Sequence, residues 1–409
     1  MGGRNLRIDI DRLMSRIEAL GRIGAIDGGG VCRLALTDAD KMGRDLVVGW
    51  MRELGLTVSV DPVGNVVGVR PGLEDGPPVM TGSHIDTVRT GGRYDGNLGV
   101  LAGLEVIACL NDAGIRTRRP VAVAFFTNEE GARFQPDMLG SLAFVGALPL
   151  AEALGTRAID GAVLGEDVAR IGYAGSAPIG RPVHAFVELH VEQGPVLEAE
   201  GFAIGAVEGV QGISWAEFVF EGQSNHAGTT PMRLRHDAGY VACAVANFVR
   251  DLTKDMGAEQ VGTVGRIEMS PNLVNVIAAK ATMTVDLRNT NEGKLQDAER
   301  RLFSFVERTA AGEGVSVARR TLARFEPVAF DPVLIGRVEA IARELGHSVK
   351  RLPSGAGHDA QMLARGCPTT MIFVPSRGGI SHNVCEYTAP GQIAAGADVL
   401  LSLLLELAA

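Results

Sequence analysis

Apolar positions near the start of the chain repeat with the period of a helix. Between residues 10 and 20 they recur at i, i+3, i+4, i+7 and i+10, which predicts an amphipathic helix with one apolar face: Ile10, Leu13, Met14, Ile17 and Leu20. A second helix is predicted to begin at Thr37-Asp38, where either side chain can cap it, and to end at Leu54-Gly55.

Strands and helices then alternate. Short apolar runs predict strands at 57–60, 66–69 and 79–81, a helix at 98–110, and buried strands at 121–126 and 185–189. Alternation of this kind predicts an α/β fold with a mixed, mostly parallel sheet covered by helices on both faces. Active groups in such sheets collect at the carboxyl ends of the strands.

The pattern changes near Gly212. The predicted elements there are a strand at 213–220, a helix at 237–252, strands at 261–267 and 280–287, a helix at 295–309 and a strand at 315–322. This β-α-β-β-α-β order is typical of a ferredoxin-like unit. The earlier pattern resumes with a helix from Asp331-Pro332, a strand at 369–374 and a last helix from Pro390. We therefore expect a discontinuous catalytic domain, 1–211 and 326–409, with an inserted domain at 212–325.

Length, charge and cysteine usage limit the class of protein to which the chain can belong. At 409 residues the chain exceeds the roughly 250–300 at which one core stops growing, so at least two domains are expected. The net charge of −9 argues against a nucleic-acid partner. The five cysteines never form Cys-x-x-Cys, which fits a reducing cytoplasm. No secretory signal is visible, and the apolar run at 399–405 is far shorter than the about 20 residues that span a bilayer, so no membrane role is expected.

Two adjacent acids, Glu129 and Glu130, follow the buried strand at 121–126. Successive side chains on extended backbone point to opposite faces, so one carboxylate could bind a metal ion while the other faces a substrate. For an isolated acid pair, a solvated loop is the commoner interpretation. Further candidate ligands lie beside predicted strands or glycine turns: His84, Asp95, His190 and His382.

This ligand set, imidazole and carboxylate without thiolate, suits Zn, Mn, Co or Ni. A carboxylate such as Asp95 can bridge two ions about 3.5–4 Å apart. Asp86 lies two residues after His84, on the same predicted strand face, so it is expected to accept a hydrogen bond from that imidazole and orient it.

Six motifs stand in order along nearly the whole chain: Ser83-His84-Ile85-Asp86-Thr87-Val88, Gly92-Arg93-Tyr94-Asp95-Gly96, Asn128-Glu129-Glu130-Gly131-Ala132-Arg133-Phe134, Glu188-Leu189-His190-Val191-Glu192-Gln193-Gly194, Asn225-His226-Ala227-Gly228-Thr229-Thr230-Pro231-Met232 and Gly378-Gly379-Ile380-Ser381-His382-Asn383. Together they resemble the hydantoinase/carbamoylase branch of the M20 metallopeptidase-like family. That branch holds N-carbamoyl-L-amino acid amidohydrolases, allantoate amidohydrolases and β-ureidopropionases.

The resemblance implies two divalent metal ions per subunit (Zn, Mn, Co or Ni). His84 and His190 would hold one ion, Glu130 and His382 the other, and Asp95 would bridge them. The position of His190 separates the carbamoylase branch from many peptidases of the wider family, which carry an acid there.

The resemblance also implies roles for five other residues. Glu129 would be the general base, taking a proton from the metal-bridging water and passing it to the leaving nitrogen. Gln193 would bind near the ureido group, and His226 would stabilise the oxyanion, in relatives from the partner subunit. Asn275 and Arg288 would bind the substrate carboxylate. Taken alone, Arg288 could equally be a surface or ion-paired arginine and Asn275 a turn residue.

The implied reaction is hydrolysis of an N-carbamoyl-L-amino acid to the free amino acid, carbon dioxide and ammonia. Allantoate and 3-ureidopropionate stay open as substrates, because they share the ureido and carboxylate groups. An aminopeptidase or dipeptidase and an inactive binding relative are less favoured. The inserted domain is expected to act as a lid and to form a homodimer contact. The segment Gly355-Ala356-Gly357-His358-Asp359 resembles a part of the family that approaches the substrate, although Asp359 could simply cap a helix.

Overall fold

A computed structural model describes residues 6–409 of the chain. The described residues divide into two compact units. The first comprises the residues up to Gly209 together with Ala329–Ala409, and the second is Val210–Val328. The limits expected for the inserted domain, 212 and 325, both fall inside the second unit.

Strands are numbered here in chain order over the described residues. They are β1 (Thr57–Val60), β2 (Val66–Arg70), β3 (Val79–His84), β4 (Val121–Phe126), β5 (Ala185–Val191), β6 (Ile204–Val210), β7 (Gly212–Glu221), β8 (Val261–Ser270), β9 (Lys280–Asn289), β10 (Ser316–Phe325), β11 (Val328–Ala329), β12 (Val349–Ser354) and β13 (Thr369–Val374).

Helices are numbered in the same way. They are α1 (Ile10–Gly21), α2 (Asp38–Glu53), α3 (Asn97–Asp112), α4 (Leu139–Phe144), α5 (Leu150–Gly155), α6 (Leu164–Arg170), α7 (Val196–Glu200), α8 (Ala238–Met256), α9 (Glu292–Glu313), α10 (Pro332–Glu344), α11 (Asp359–Leu363) and α12 (Pro390–Leu407). As predicted, Thr37 caps α2, and its side chain accepts a hydrogen bond from Asp40 N.

The first unit is built on a mixed sheet in the order β1-β2-β4-β3-β5-β13-β6-β11, with β12 paired to β6. The four central strands, β4-β3-β5-β13, are parallel, whereas β1, β2 and β6 join antiparallel. Every residue of those four central strands is buried, as expected for strands covered on both faces. The predicted α/β fold with a mixed sheet is confirmed.

Helices cover both faces of this sheet, and neighbouring residues of β5 show how. Glu188 accepts a hydrogen bond from the first turn of α11, at Ala360 N. Leu189 packs on α12 at Gly396, where a Cβ would lie 2.8 Å from the leucine, so only glycine allows this approach. Among the described residues only α12 is long and apolar enough to cross a membrane; half of it is buried here, in contact with β5 and β13. Its apolar composition is therefore that of a core helix.

The second unit has the predicted order β7-α8-β8-β9-α9-β10. Its strands form an antiparallel sheet in the order β10-β7-β9-β8, with α8 and α9 packed on it around a common apolar core. The ferredoxin-like prediction is confirmed. The strands β10 and β8 lie at the two edges of this sheet.

Some predicted boundaries were too short, and this affects three candidate residues. β3 continues to His84, and β5 continues to Val191, so that His190 lies within the strand and not after it. Arg288 likewise lies inside β9. The strands β6 and β12 were missed, because β6 contains two glycines and β12 a proline, both of which weaken a strand pattern.

Candidate metal centre

The five candidate ligands lie at one edge of the central sheet. His84 is the last residue of β3, Glu130 follows β4, and His190 is the penultimate residue of β5. Because β3 pairs in parallel with both β4 and β5, the carboxyl ends of these strands meet. Asp95 lies just before α3, and His382 lies in the loop between β13 and α12.

Asp95 stands at the centre of this group. Its Oδ1 is 3.6 Å from His84 Nε2 and 3.2 Å from His190 Nε2. Its other oxygen, Oδ2, is 3.4 Å from His382 Nε2, which in turn is 3.3 Å from Glu130 Oε2. Two overlapping sets result, each with ligand atoms within 4.8 Å of one another: His84, Asp95 and His190, and Asp95, Glu130 and His382.

The buried imidazoles are oriented by backbone carbonyls. His84 Nδ1 lies 2.9 Å from Asp86 O, and His190 Nδ1 lies 2.8 Å from Val191 O. A carbonyl oxygen can only accept, so each ring carries its proton on Nδ1. The Nε2 atom of His84 lies 3.6 Å from Asp95 Oδ1, and the Nε2 atom of His190 accepts a hydrogen bond from Gly96 N at 3.1 Å while lying 3.2 Å from the same oxygen.

The role expected for Asp86 needs correction. Its backbone oxygen, not its side chain, accepts from His84. Its carboxylate turns instead to the acid pair, accepting from Glu129 N at 3.3 Å and from Glu130 N at 3.4 Å. Asp86 therefore links the loops that follow two neighbouring strands.

Strand alternation was expected to point the two glutamates to opposite faces. The structure does not show this. The strand ends at Phe126, and Asn128 adopts a φ of 58°, a left-handed conformation that asparagine tolerates. The amide of Asn128 stabilises this turn by donating to Phe134 O at 2.9 Å. Both carboxylates consequently enter one cavity. Glu129 Oε2 lies 3.3 Å from His84 Nε2, whereas Glu130 Oε2 lies beside His382.

The cavity, with a volume of about 400 Å³ including open solvent, is lined by Asp95, Glu129, Glu130, Asp137, Gln193, Ala356, Gly357, His358 and His382. Burial raises the pKa of Glu129 well above its usual value, and burial with repulsion from Asp95 raises the pKa of Glu130 to about 8. Buried acids so close together call for a cation. Nitrogen and oxygen donors without thiolate fit a divalent metal ion of the Zn, Mn, Co or Ni type.

Gln193 also reaches this centre. Its Nε2 donates to Asp95 Oδ2 at 2.8 Å, and its backbone N donates to Ser376 Oγ at 3.0 Å. The residue has a φ of 58°, a strained value held by these contacts. Its buried Oε1 has no hydrogen-bond partner within the described residues.

His358 and Asp359 border the same region. His358 lines the cavity, its Nε2 is 2.8 Å from Ser354 Oγ, and its ring lies edge-on to His190 at 4.6 Å. The suggestion that Asp359 caps a helix is wrong, because His358 occupies the cap position and Asp359 is the first helical residue. Both carboxylate oxygens of Asp359 are buried without a hydrogen-bond partner in the described chain.

The remaining candidates belong to the second unit. His226 pairs with Val276 in a short bridge, and Ala227 N donates to Asn275 O, so the structure brings His226 and Asn275 into adjoining segments. Both are exposed. Arg288 forms an ion pair with Asp286, at 2.8 Å, which is the alternative that the sequence left open for it.

Sequence reasoning missed two acids near the centre. Asp137 lines the cavity from the loop before α4. Glu386 is buried and accepts from Asp95 N at 3.1 Å. The available signal for Glu386 was its place four residues after His382 in the same loop.

Comparison with known proteins gives the family. A profile of the peptidase family M20/M25/M40 matches residues 80–406. The chain belongs to this family. The N-carbamoyl-L-amino-acid amidohydrolase of Rhizobium meliloti is 42% identical to this M20 chain over 408 residues, covering 99% of this chain and 98% of that protein. The ureidoglycolate hydrolase of Arabidopsis thaliana is 35% identical, covering 97% and 86% respectively.

A solved structure supports the same branch. The crystal structure of an amidase of the hydantoinase/carbamoylase family from Burkholderia multivorans is 47% identical to this M20 chain, with a TM-score of 0.97 over 98% of each chain. The resemblance found in the motifs is thereby confirmed. This M20 chain is an enzyme of the amidohydrolase type, with candidate metal-binding groups in place.

Proposed function

We propose that this M20 chain hydrolyses the ureido C–N bond of an N-carbamoyl-L-amino acid, releasing the free L-amino acid, carbon dioxide and ammonia. The observation that carries the proposal is the Asp95 carboxylate, which presents one oxygen to His84 and His190 and the other to His382. The similarity to the amidohydrolase of Rhizobium meliloti supports the substrate class.

Five ligands would hold two divalent ions, Zn, Mn, Co or Ni: His84 and His190 on one, Glu130 and His382 on the other, with Asp95 shared. Such ions, when bound, polarise a carbonyl and lower the pKa of bound water toward neutrality. The protein supplies the geometry, since Nε2 of His84 and Nε2 of His190 lie 3.6 Å and 3.2 Å from Asp95 Oδ1.

Glu129 would act as the general base. It lines the cavity yet belongs to neither ligand set, so its carboxylate is left to exchange protons. Burial raises its pKa, which helps it to retain the proton taken from water until the leaving nitrogen accepts it. The hydrogen bond from Glu129 N to Asp86 fixes the position of the residue.

Two side chains would recognise the reacting ureido group. Gln193 is anchored to Asp95 through its Nε2, which leaves its unpaired Oε1 to accept from a ureido N–H. His226 Nδ1 accepts from Gly228 N at 3.0 Å and from Thr229 N at 3.2 Å. The proton of the neutral ring must then be on Nε2, so His226 can donate to the oxyanion of a tetrahedral intermediate.

The second unit would serve as the lid. It carries Asn275 and Arg288, and we assign them the substrate carboxylate, for which a guanidinium offers two parallel hydrogen bonds. Binding would require Arg288 to share its donors between Asp286 and the substrate. Closure of such a unit excludes water and aligns the carbonyl.

The same unit would form a homodimer. Met232, Tyr240, Leu273 and Val274 are large apolar side chains exposed near His226 and Asn275 along the chain, and Val274 is fully exposed. A partner subunit would cover them, which also suits delivery of His226 across the interface.

The five cysteines of the chain are all free, consistent with a cytoplasmic location.

A substrate comparison tests the proposal. N-carbamoyl-L-amino acids, allantoate, ureidoglycolate, 3-ureidopropionate and a dipeptide would be assayed for kcat/KM with each of the four metals. We expect the highest value for an N-carbamoyl-L-amino acid. The similarity to the Arabidopsis thaliana ureidoglycolate hydrolase makes a ureido acid of that kind the second candidate. A dipeptide hydrolysed best would overturn the proposal.

A further inference from the structure

We infer that Glu386 is a positioning residue that joins the loop of Asp95 to the loop of His382 and thereby sets the geometry of both metal positions. The inference rests on the two-metal centre of the proposed function. Glu386 is neither a ligand candidate nor part of the cavity wall, so it acts through the residues that it holds.

One oxygen of Glu386 holds the Asp95 loop. Oε1 accepts from Tyr94 N at 3.0 Å and from Asp95 N at 3.1 Å. Two consecutive backbone N–H groups on a single carboxylate oxygen fix the direction in which the chain enters α3. Glu386, Tyr94 and Asp95 are all buried, so loss of this carboxylate oxygen would leave two backbone N–H groups without an acceptor.

The other oxygen holds the His382 loop. Oε2 accepts from Ser381 Oγ at 3.3 Å, and Ser381 Oγ also lies 3.2 Å from Asp95 Oδ2. The hydroxyl has a single proton, which can serve only one carboxylate at a time. In either arrangement Ser381 connects the His382 loop to Glu386 and to Asp95, so the carboxylate of Glu386 contacts both loops.

The surrounding chain is shaped around this carboxylate. Glu386 N donates to Asn383 O at 3.0 Å, which turns the chain back so that its side chain points inward. A Cβ at Gly92 would lie 2.2 Å from Glu386 Oε1, and only a glycine leaves room for the carboxylate there. Gly92 and Glu386 are thus packed closely together, and only 6% of Glu386 is exposed to solvent.

Loss of Glu386 should weaken the binding of both ions, because Asp95 belongs to both ligand sets. Without Glu386, the N–H groups of Tyr94 and Asp95 lose their acceptor and the Asp95 loop can shift. Removal of a residue that orients a ligand typically weakens metal binding about 10–100-fold.

The test compares four variants by Mn²⁺ binding to metal-stripped protein, measured by equilibrium dialysis, with EPR to detect a coupled Mn²⁺ pair. Glu386→Ala should bind Mn²⁺ at least about tenfold more weakly and lose the coupled signal. Glu386→Gln should bind like the wild type, because its amide oxygen still accepts from both N–H groups. Glu386→Asp keeps the charge but not the reach, and should resemble the alanine variant.

Glu192→Ala is the matched control. Glu192 is buried to the same degree and also accepts two backbone N–H groups, from Val196 and Leu197, but it does not touch the Asp95 loop. The Glu192→Ala substitution should lower Tm and leave Mn²⁺ affinity unchanged. The inference is overturned if Glu386→Ala binds Mn²⁺ normally, if Glu192→Ala loses affinity equally, or if Glu386→Asp binds better than Glu386→Gln. If Glu386→Ala does not fold, the aspartate and glutamine variants decide the question.

The same measurement separates this inference from the substrate proposal. Wild-type protein that binds a coupled Mn²⁺ pair but hydrolyses no carbamoyl substrate would refute the proposed substrate alone. Wild-type protein that binds no Mn²⁺ would refute the metal centre and, with it, the role of Glu386.

Discussion

Replacing Glu129 by glutamine should remove turnover without removing metal. The substitution keeps the shape of the side chain and its backbone contact with Asp86, and it replaces none of the five ligand candidates. What it removes is a carboxylate that can accept a proton beside His84.

The size of the effect follows from the role. General base catalysis contributes about 10²–10⁴ to a rate, or roughly 3–5 kcal/mol of barrier at about 1.36 kcal/mol per tenfold. The loss should fall on kcat, since Glu129 is assigned to the reacting water and not to substrate binding.

The thermal stability of the metal-free variant, unlike its turnover, should not fall. Burial raises the pKa of Glu129 above that of an unfolded glutamate, so at neutral pH the folded, metal-free chain carries a cost for the charge. Glutamine has no such cost. Metal-free Glu129→Gln should therefore melt no lower than the metal-free wild type, and a much lower Tm would point to a structural role.

The assay is steady-state hydrolysis of the best ureido substrate, with metal content measured on the same samples. Glu192→Gln serves as control, because Glu192 is buried outside the cavity and should retain activity. A Glu129→Gln enzyme with two ions bound and kcat within about tenfold of the wild type would refute the assignment of Glu129 as base.

Three further predictions concern metal, substrate and fold. Chelation should abolish activity, with restoration by Mn, Co, Ni or Zn; full activity of stripped protein would exclude the mechanism. Arg288→Ala should mainly raise KM for carboxylate substrates, Arg288→Lys less so, and an unchanged KM would place the carboxylate elsewhere. Arg33→Met should lower Tm by several degrees in thermal unfolding, since Arg33 is fully buried and donates to Ile85 O and Asn97 Oδ1, and each acceptor left unpaired costs about 1–3 kcal/mol; an unchanged Tm would contradict this.

Hydrophobic periodicity predicted the secondary structure around the site well. The buried strand Val121–Phe126 and the split order of the second unit have strong local signals, since apolar runs and their spacing record burial directly. His84 and His190 could be placed near strand ends for the same reason. Their exact positions required the hydrogen-bonded register of the sheet, which joins β3 to β5 across about a hundred residues of chain.

Side-chain direction could not be predicted in the same way. Asn128, Gln193 and His382 all have positive φ, at 58°, 58° and 52°. Each lies beside the cavity, where tertiary contacts override the local preference of the backbone. The strand rule failed for Glu129 and Glu130 because it assumes extended backbone, and the turn at Asn128 breaks that assumption.

The two halves of the proposed centre differ in how firmly the fold holds them. His84 and His190 belong to buried strands, and each is tied to a backbone carbonyl. His382, by contrast, lies in a loop with its side chain 51% exposed, and Glu130 follows a left-handed turn. Loop positions retain more freedom than strand positions, so the half formed by His382 and Glu130 depends more on added restraints. That dependence explains why a buried carboxylate with no direct access to the cavity, Glu386, should matter for metal binding: it ties the half held by loops to Asp95, the ligand that both halves share.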